Sequence, residues 1–218
     1  MNLKEKQTIY DIYFKYLIFF TLGSLLGCLF ETGLEFIKKG EFVSRQGLLY
    51  GPFSPVYGVG IVLAVILLEK YYKDNKMIHI FVIGGLLCGI AEFVCSWVQE
   101  VFFHTYSWDY SKYPLNIFGR TSVIHIFIWG LMIFLFMQFI YPLIMLFIKH
   151  INGMFRKFFI IFLTVFFILD IFISASACIR QYERFKKMEP SNKFEVILDN
   201  WYNDNYLKKI YPNKKFKK

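Results

Sequence analysis

TSVIHIFIWGLMIFLFMQFIYPLIMLFI, residues 121–148, contains no Asp, Glu, Lys or Arg. About 20 consecutive apolar residues cross a bilayer as a helix, so this stretch reads as a membrane span. The fold class then turns on how many stretches resemble it. Residues 51–68 carry no charge, and residues 16–37 are interrupted only by Glu31 and Glu35. Residues 77–103 hold His79, Glu92 and Glu100, and residues 158–179 hold only Asp170. The expectation is an all-α polytopic membrane protein with about five transmembrane helices. Residues 1–181 would form the helical domain and residues 182–218 a polar, basic C-terminal tail.

Composition agrees. Of 218 residues, 56% are hydrophobic and 21% aromatic, with 27 Phe and 15 Tyr, while only 19% are charged. Soluble domains carry roughly 25% charged residues and far fewer aromatics. The first apolar run is too long for a cleaved signal peptide and no A-x-A site follows it. The four cysteines, Cys28, Cys88, Cys95 and Cys178, all fall in expected helices without a C-x-x-C pair, which reads as reduced packing thiols.

The formal net charge is +9. Lys208, Lys209, Lys214, Lys215, Lys217 and Lys218 crowd the last eleven residues without an acid. Such a tail suits an anionic leaflet, each basic charge near the surface contributing about 1 kcal/mol. Anionic lipid is therefore the expected partner of the tail and nucleic acid is not, with a solvated end as the alternative. Residues 194–209 have the pattern of a surface helix.

Five spans put the termini on opposite faces. Lys4, Lys6, Lys15, Lys70, Lys73, Lys76, Lys149, Arg156 and Lys157 fall on the N-terminal side. Lys38, Lys39, Arg45, Lys112, Arg120, Arg180, Arg184, Lys186 and Lys187 fall on the other. This near-balance leaves orientation to the tail lysines, which tilt it toward a cytoplasmic C-terminus. Parity also gathers Glu31, Glu35, Glu92, Glu100, His125 and the loops around residues 45–57 and 104–120 into one half of the membrane.

Ionisable groups within a span are costly and usually paired, protonated or facing water. Glu31, Glu92 and Asp170 are thus the first candidates for function. Glu31 and Glu35, spaced i, i+4, share a helical face. Arg120 would neutralise Glu31 or Glu92, or grip an anionic headgroup bidentately. Asp109 and Asn116 add polar groups beside the membrane, and Arg45, Tyr50 and Tyr57 flank Gly51-Pro52 at the entry to the second helix. Pro52 is expected at its first position, with Pro55 disturbing the first turn. Gly23-x-x-x-Gly27 and the Gly84, Gly85, Gly89 set make small faces that would bring Glu31 and Glu92 together if they met. Gln138, Tyr141 and Pro142 point to an irregular end of the fourth helix. Glu100, His104 and Asp109 make only a poor metal set, and no metal or cofactor is expected. No G-x-x-x-x-G-K-[ST] or G-x-S-x-G occurs, so neither a nucleotide-binding loop nor a nucleophile elbow is encoded.

Gly27-x-x-x-Glu31, Gly47-Leu-Leu-Tyr-Gly-Pro52, Pro55-Val-Tyr-Gly58, Ala-Glu92-Phe, Glu100, His104, Trp-Asp-Tyr-Ser111, Asn116 and Gly-Arg120 recur in that order. This ordered set, over about residues 20–145, resembles the bacterial family of putative ABC-transporter type IV permeases. Two positions depart from the family pattern: Gln46 stands where Arg usually precedes the glycine, and Cys28 stands where Trp is usual. The resemblance implies a multi-pass transport permease of the bacterial cell membrane, working with separate ATPase subunits or as a homo-oligomer. The expected polar centre is Glu31, Glu92 and Arg120, with Asp109, Asn116, Arg45, Tyr50 and Tyr57 around it. Two rivals stay open: a membrane-embedded enzyme or binder of lipid headgroups, and a membrane scaffold or regulator.

Overall fold

The structure, a computed structural model, describes residues 8–216. Lys4, Lys6, Lys217 and Lys218 lie outside the described residues. Five helices are long and apolar enough to cross a membrane: α1 (Ile9–Lys39), α2 (Pro55–Lys73), α3 (Met77–Phe103), α4 (Val123–His150) and α5 (Gly153–Phe185). Helix α3 has the bounds expected from sequence, 77–103, and the other four depart from theirs. Thr8 caps α1 reciprocally with Asp11, accepting from its N–H at 3.2 Å, so the helix begins ahead of Tyr16 and includes Asp11 and Lys15. Gly40, at φ 73°, ends it, a conformation that suits glycine.

Helix α2 starts at Pro55, not at Pro52. Gly51 adopts φ 78°, so residues 51–54 form a turn and Ser54 becomes the N-cap residue. Pro55 then occupies the first turn, where its missing N–H costs nothing. In α4 the irregularity is internal rather than terminal. A π-turn spans Phe136–Ile140, just before Pro142, and helix resumes at Tyr141. Proline cannot donate back to residue 138 and crowds its carbonyl; a wider turn absorbs both problems.

Sequence neighbours pack on one another, α1 on α2, α2 on α3 and α3 on α4, while α5 lies against α1 and α3. The main core joins Phe14, Ile18 and Phe19 of α1, Val65 and Leu68 of α2, Ile80 of α3 and Met137 and Tyr141 of α4. Large side chains such as Leu29, Ile66, Ile90, Phe127 and Ile168 point outward, as lipid-facing positions must. The chain is a multi-pass membrane protein.

The tail is folded. Helices α6 (Lys193–Trp201) and α7 (Asp204–Ile210) replace the single surface helix, because Asn203 breaks the run and caps α7 through Tyr206 N–H at 3.0 Å. Leu198, Tyr202 and Leu207 pack on Ala177 of α5 and Leu49. Two short antiparallel pairings complete the fold. Strand β1 (Thr105–Tyr106) pairs with β4 (Lys215–Phe216), and β2 (Asn116–Ile117) with β3 (Thr121–Ser122). Lys215 thus sits against the α3–α4 loop and Lys214 lies 5.2 Å from the Tyr211 ring centroid, whereas Lys208 and Lys209 stay exposed at the end of α7.

Candidate functional site

The two glycine faces do not meet each other. Gly23 and Gly27 of α1 receive α2: a Cβ on Gly27 would lie inside the ring of Tyr57. Gly85 of α3 receives α4, where a Cβ would stand 2.5 Å from the Ile126 carbonyl. Glu31 and Glu92 are therefore brought near each other through an intermediary. Tyr57, seated on Gly27, donates its hydroxyl to Glu31 Oε1 at 2.6 Å. Its ring meets Trp129 of α4 edge-on, with centroids 5.7 Å apart. Trp129 Nε1 in turn donates to Glu92 Oε2 at 3.3 Å.

Glu92 is buried at 7% exposure, and Tyr110 donates to its Oε1 at 2.9 Å. Among the described residues no Lys or Arg lies within ion-pair distance of it. Neutral donors alone surround this carboxylate, which is the arrangement least expected of an acid serving only as half of a salt bridge. The Tyr110 ring stacks on His125 with centroids 3.9 Å apart, and His125 Nδ1 shares a 2.7 Å hydrogen bond with Ser122 Oγ. Tyr110 lies outside the spans. Its phenol is pushed well above the ordinary range, first by burial and then by the negative charges of Glu92 and Glu31.

The cations go elsewhere. Arg120 pairs with Glu100 at 2.7 Å, not with Glu31 or Glu92, and lies over Phe93 with its guanidinium carbon 5.5 Å from the centroid. Its carbonyl accepts from Trp108 Nε1 at 3.0 Å. Arg45 pairs with Glu35, which also holds Lys39 at 2.8 Å, and its Nε lies 4.0 Å from Glu31. Gln46, at the position where the charge was expected, donates to the Leu48 and Leu49 carbonyls at 2.9 and 3.3 Å. It ties the turn together instead of binding an acid.

Three candidates serve loop geometry. Asp109 accepts from Ser111 N–H at 2.9 Å and from its hydroxyl, bonds that hold its carboxyl below the usual range, the hydroxyl first. Asn116 bonds the Ser111 and Tyr113 carbonyls and the Gly119 N–H. Tyr50 faces the tail and shares a 2.6 Å hydrogen bond with the Tyr202 hydroxyl. Glu100, His104 and Asp109 also diverge, His104 stacking on Tyr182 at 4.4 Å. Asp170, 2% exposed, holds the turn before α2: its Oδ1 accepts from Tyr50 N–H at 3.2 Å and Ser174 Oγ at 3.0 Å. Ser174 Oγ accepts from Leu49 N–H at 2.8 Å.

The polar assembly is thus Glu31, Tyr57, Trp129, Glu92 and Tyr110, built from all of the first four spans and the α3–α4 loop. The family model for Putative ABC-transporter type IV matches residues 18–175. The chain belongs to that family. No curated protein and no solved structure matches it. The family match extends past residue 145 into α5, so Asp170 and Ser174 fall within it. Helices α6 and α7 and strand β4 lie beyond it.

Within the part of the chain matched to the ABC-transporter type IV family, sequence reasoning passed over Trp129, which has no polar neighbour in sequence, and met Tyr110 only within the Trp-Asp-Tyr-Ser111 motif. It also missed polar groups in the opposite half. Lys15, 8% exposed, meets Glu69 at 2.6 Å, and Lys73 and Tyr141 reach the same carboxylate at 2.8 and 2.9 Å. Lys15 had read as a flanking charge because the helix start was placed after it.

Proposed function

We propose that this chain is the membrane-spanning permease component of an ABC-type transporter, working in the bacterial cell membrane with ATPase subunits encoded separately. The observation that carries the reading is Glu92, an acid buried among spanning helices with neutral donors around it and no Lys or Arg within ion-pair distance among the described residues. An uncompensated acid inside a membrane domain is a functional-site hypothesis by default. Tyr57 and Trp129 connect it to Glu31, whose side chain is 36% exposed, so the unit reaches from the helix interior to an accessible carboxylate. Arg45 borders that accessible end, its Nε 4.0 Å from Glu31. Family membership and the five apolar spans support transport, and a sequence without a nucleotide-binding loop fits ATP hydrolysis by a separate chain.

The test is purification of the tagged protein from its native membranes, with identification of what accompanies it, followed by ATPase assays of the complex in nanodiscs. A P-loop ATPase should co-purify in fixed ratio. Glu92→Gln should leave the complex assembled and its melting temperature little changed, while altering ATP turnover. Absence of any P-loop ATPase from the purified material overturns the reading. So does a Glu92→Gln complex with wild-type turnover, which would leave the polar unit a packing element.

A further inference from the structure

At the other end of α2, on the N-terminal side of the membrane, the ends of α2 and α4 enclose a groove of about 370 Å³. It is lined by Glu69, Tyr72 and Lys73 from α2, and by Tyr141, Pro142, Met145, Leu146 and Lys149 from α4. The π-turn at Phe136–Ile140 lies directly before the α4 residues that line the groove. Tyr141, 4% exposed, stacks on Phe19 at 5.6 Å and meets Tyr72 edge-on at 5.0 Å, forming the floor. Mid-helix π-turns are found frequently at functional sites.

Charge decides what fits. Glu69 is the one acid, and it is saturated from within: Lys15 takes Oε2 at 2.6 Å, while Lys73 and Tyr141 share Oε1. Three lysines, counting Lys149, therefore stand against one carboxylate. Lys73 keeps 67% of its side chain exposed, and Lys149 is exposed and makes no ion pair among the described residues. The opposite edge is apolar and outward-facing, Leu146 being 54% exposed. A cationic rim beside an apolar wall at the end of a span is complementary to a phosphate with an acyl chain attached.

We propose that this groove binds the headgroup of an anionic phospholipid, its phosphate against Lys73 and Lys149 and one acyl chain along Pro142, Met145 and Leu146. The site is distinct from the basic tail, which parity places on the opposite face, and it does not depend on the role of Glu92. Lys73 directs one N–H at Glu69 Oε1 and keeps its other donors for the phosphate.

The test uses the full chain in nanodiscs of phosphatidylcholine containing phosphatidylglycerol, with retained lipids counted by native mass spectrometry. The wild type should retain phosphatidylglycerol over phosphatidylcholine by about 25-fold beyond the disc ratio, since each of the two surface lysines supplies roughly a fivefold gain. Lys149→Gln, which breaks no internal contact, should lower that preference several-fold. Leu146→Trp, which fills the apolar edge, should lower retention of both lipids. No preference in the wild type, or an undiminished preference in Lys149→Gln, overturns the proposal. Loss of the preference in Lys208→Gln/Lys209→Gln instead would assign it to the tail. Inorganic phosphate added to discs of phosphatidylcholine alone should not raise the melting temperature; a rise equal to that given by phosphatidylglycerol would identify a free-anion site and also overturn it.

Discussion

Tyr57 of α2 lies over Gly27 of α1, and from that seat its hydroxyl reaches Glu31 at 2.6 Å. The glycine and the acid stand four residues apart, one helical turn. One side chain therefore reads both, as a packing surface and as a hydrogen-bond acceptor. This contact fixes where the acid of α1 stands relative to Trp129 and Glu92.

Gly27→Ala should displace the Tyr57 ring, because no rotamer change elsewhere makes room for a Cβ there. A loss of about 1–3 kcal/mol is expected from overpacking, read as a lowered melting temperature in detergent. Tyr57→Phe, which keeps the ring, should cost less. Equal melting temperatures for Gly27→Ala and wild type would show that α1 and α2 can separate at little cost.

Arg120 belongs to Glu100. A double-mutant cycle on Arg120→Gln and Glu100→Gln should give a coupling of about 1 kcal/mol, the scale for a pair still partly open to solvent. The corresponding cycle on Arg120 and Glu92 should give a value near zero. Coupling to Glu92 in place of Glu100 would restore the pairing expected from sequence.

Asp170 holds backbone, so its loss should be felt in the turn. Asp170→Ala removes the acceptor for Tyr50 N–H and Ser174, and about 1–3 kcal/mol should go with it. Trypsin should then cut more readily after Arg45. Asp170→Asn, which keeps one acceptor oxygen, should lie between wild type and the alanine variant.

The tail should release on acidification. Asp199 is held below its usual range first by hydrogen bonds from Arg180 and then by Arg184. A depressed folded-state value means that its contribution is complete above the unfolded value of 3.8 and is lost as pH falls below it. Protection of residues 193–210 from hydrogen exchange, taken relative to the intrinsic rate at each pH, should therefore be flat at neutral pH and fall only in that acid range. Arg180→Gln should raise exchange at neutral pH. Release of the tail near pH 6 would point to a different latch.

Membership of the fold class was legible because hydropathy is a one-dimensional property. Five uncharged or nearly uncharged runs, each long enough for a bilayer, can be read without knowing what touches what. Helix ends were less legible, since they depend on caps such as Thr8 and turns such as the one at Gly51, which a hydropathy window does not see. Of the polar residues, Glu31 and Glu92 stood out because acids are rare in apolar runs. Tyr110 and Trp129 did not, because aromatic residues are common at both interfaces and in the spans, and only a partner distinguishes one from another.

The sequence by itself determined that this chain spans a membrane several times, that its costly acids crowd toward one face, and that its family is the one identified. Tertiary structure alone decided the pairings: Arg120 with Glu100, Arg45 with Glu35, Tyr57 with Glu31, and Lys15 with Glu69. The physical reason is range. Burial preference acts on each residue independently and survives in composition and order. A hydrogen bond or ion pair exists only within about 3–4 Å, and which side chains come that close depends on helix rotation and crossing, set by contacts such as Gly27 against Tyr57.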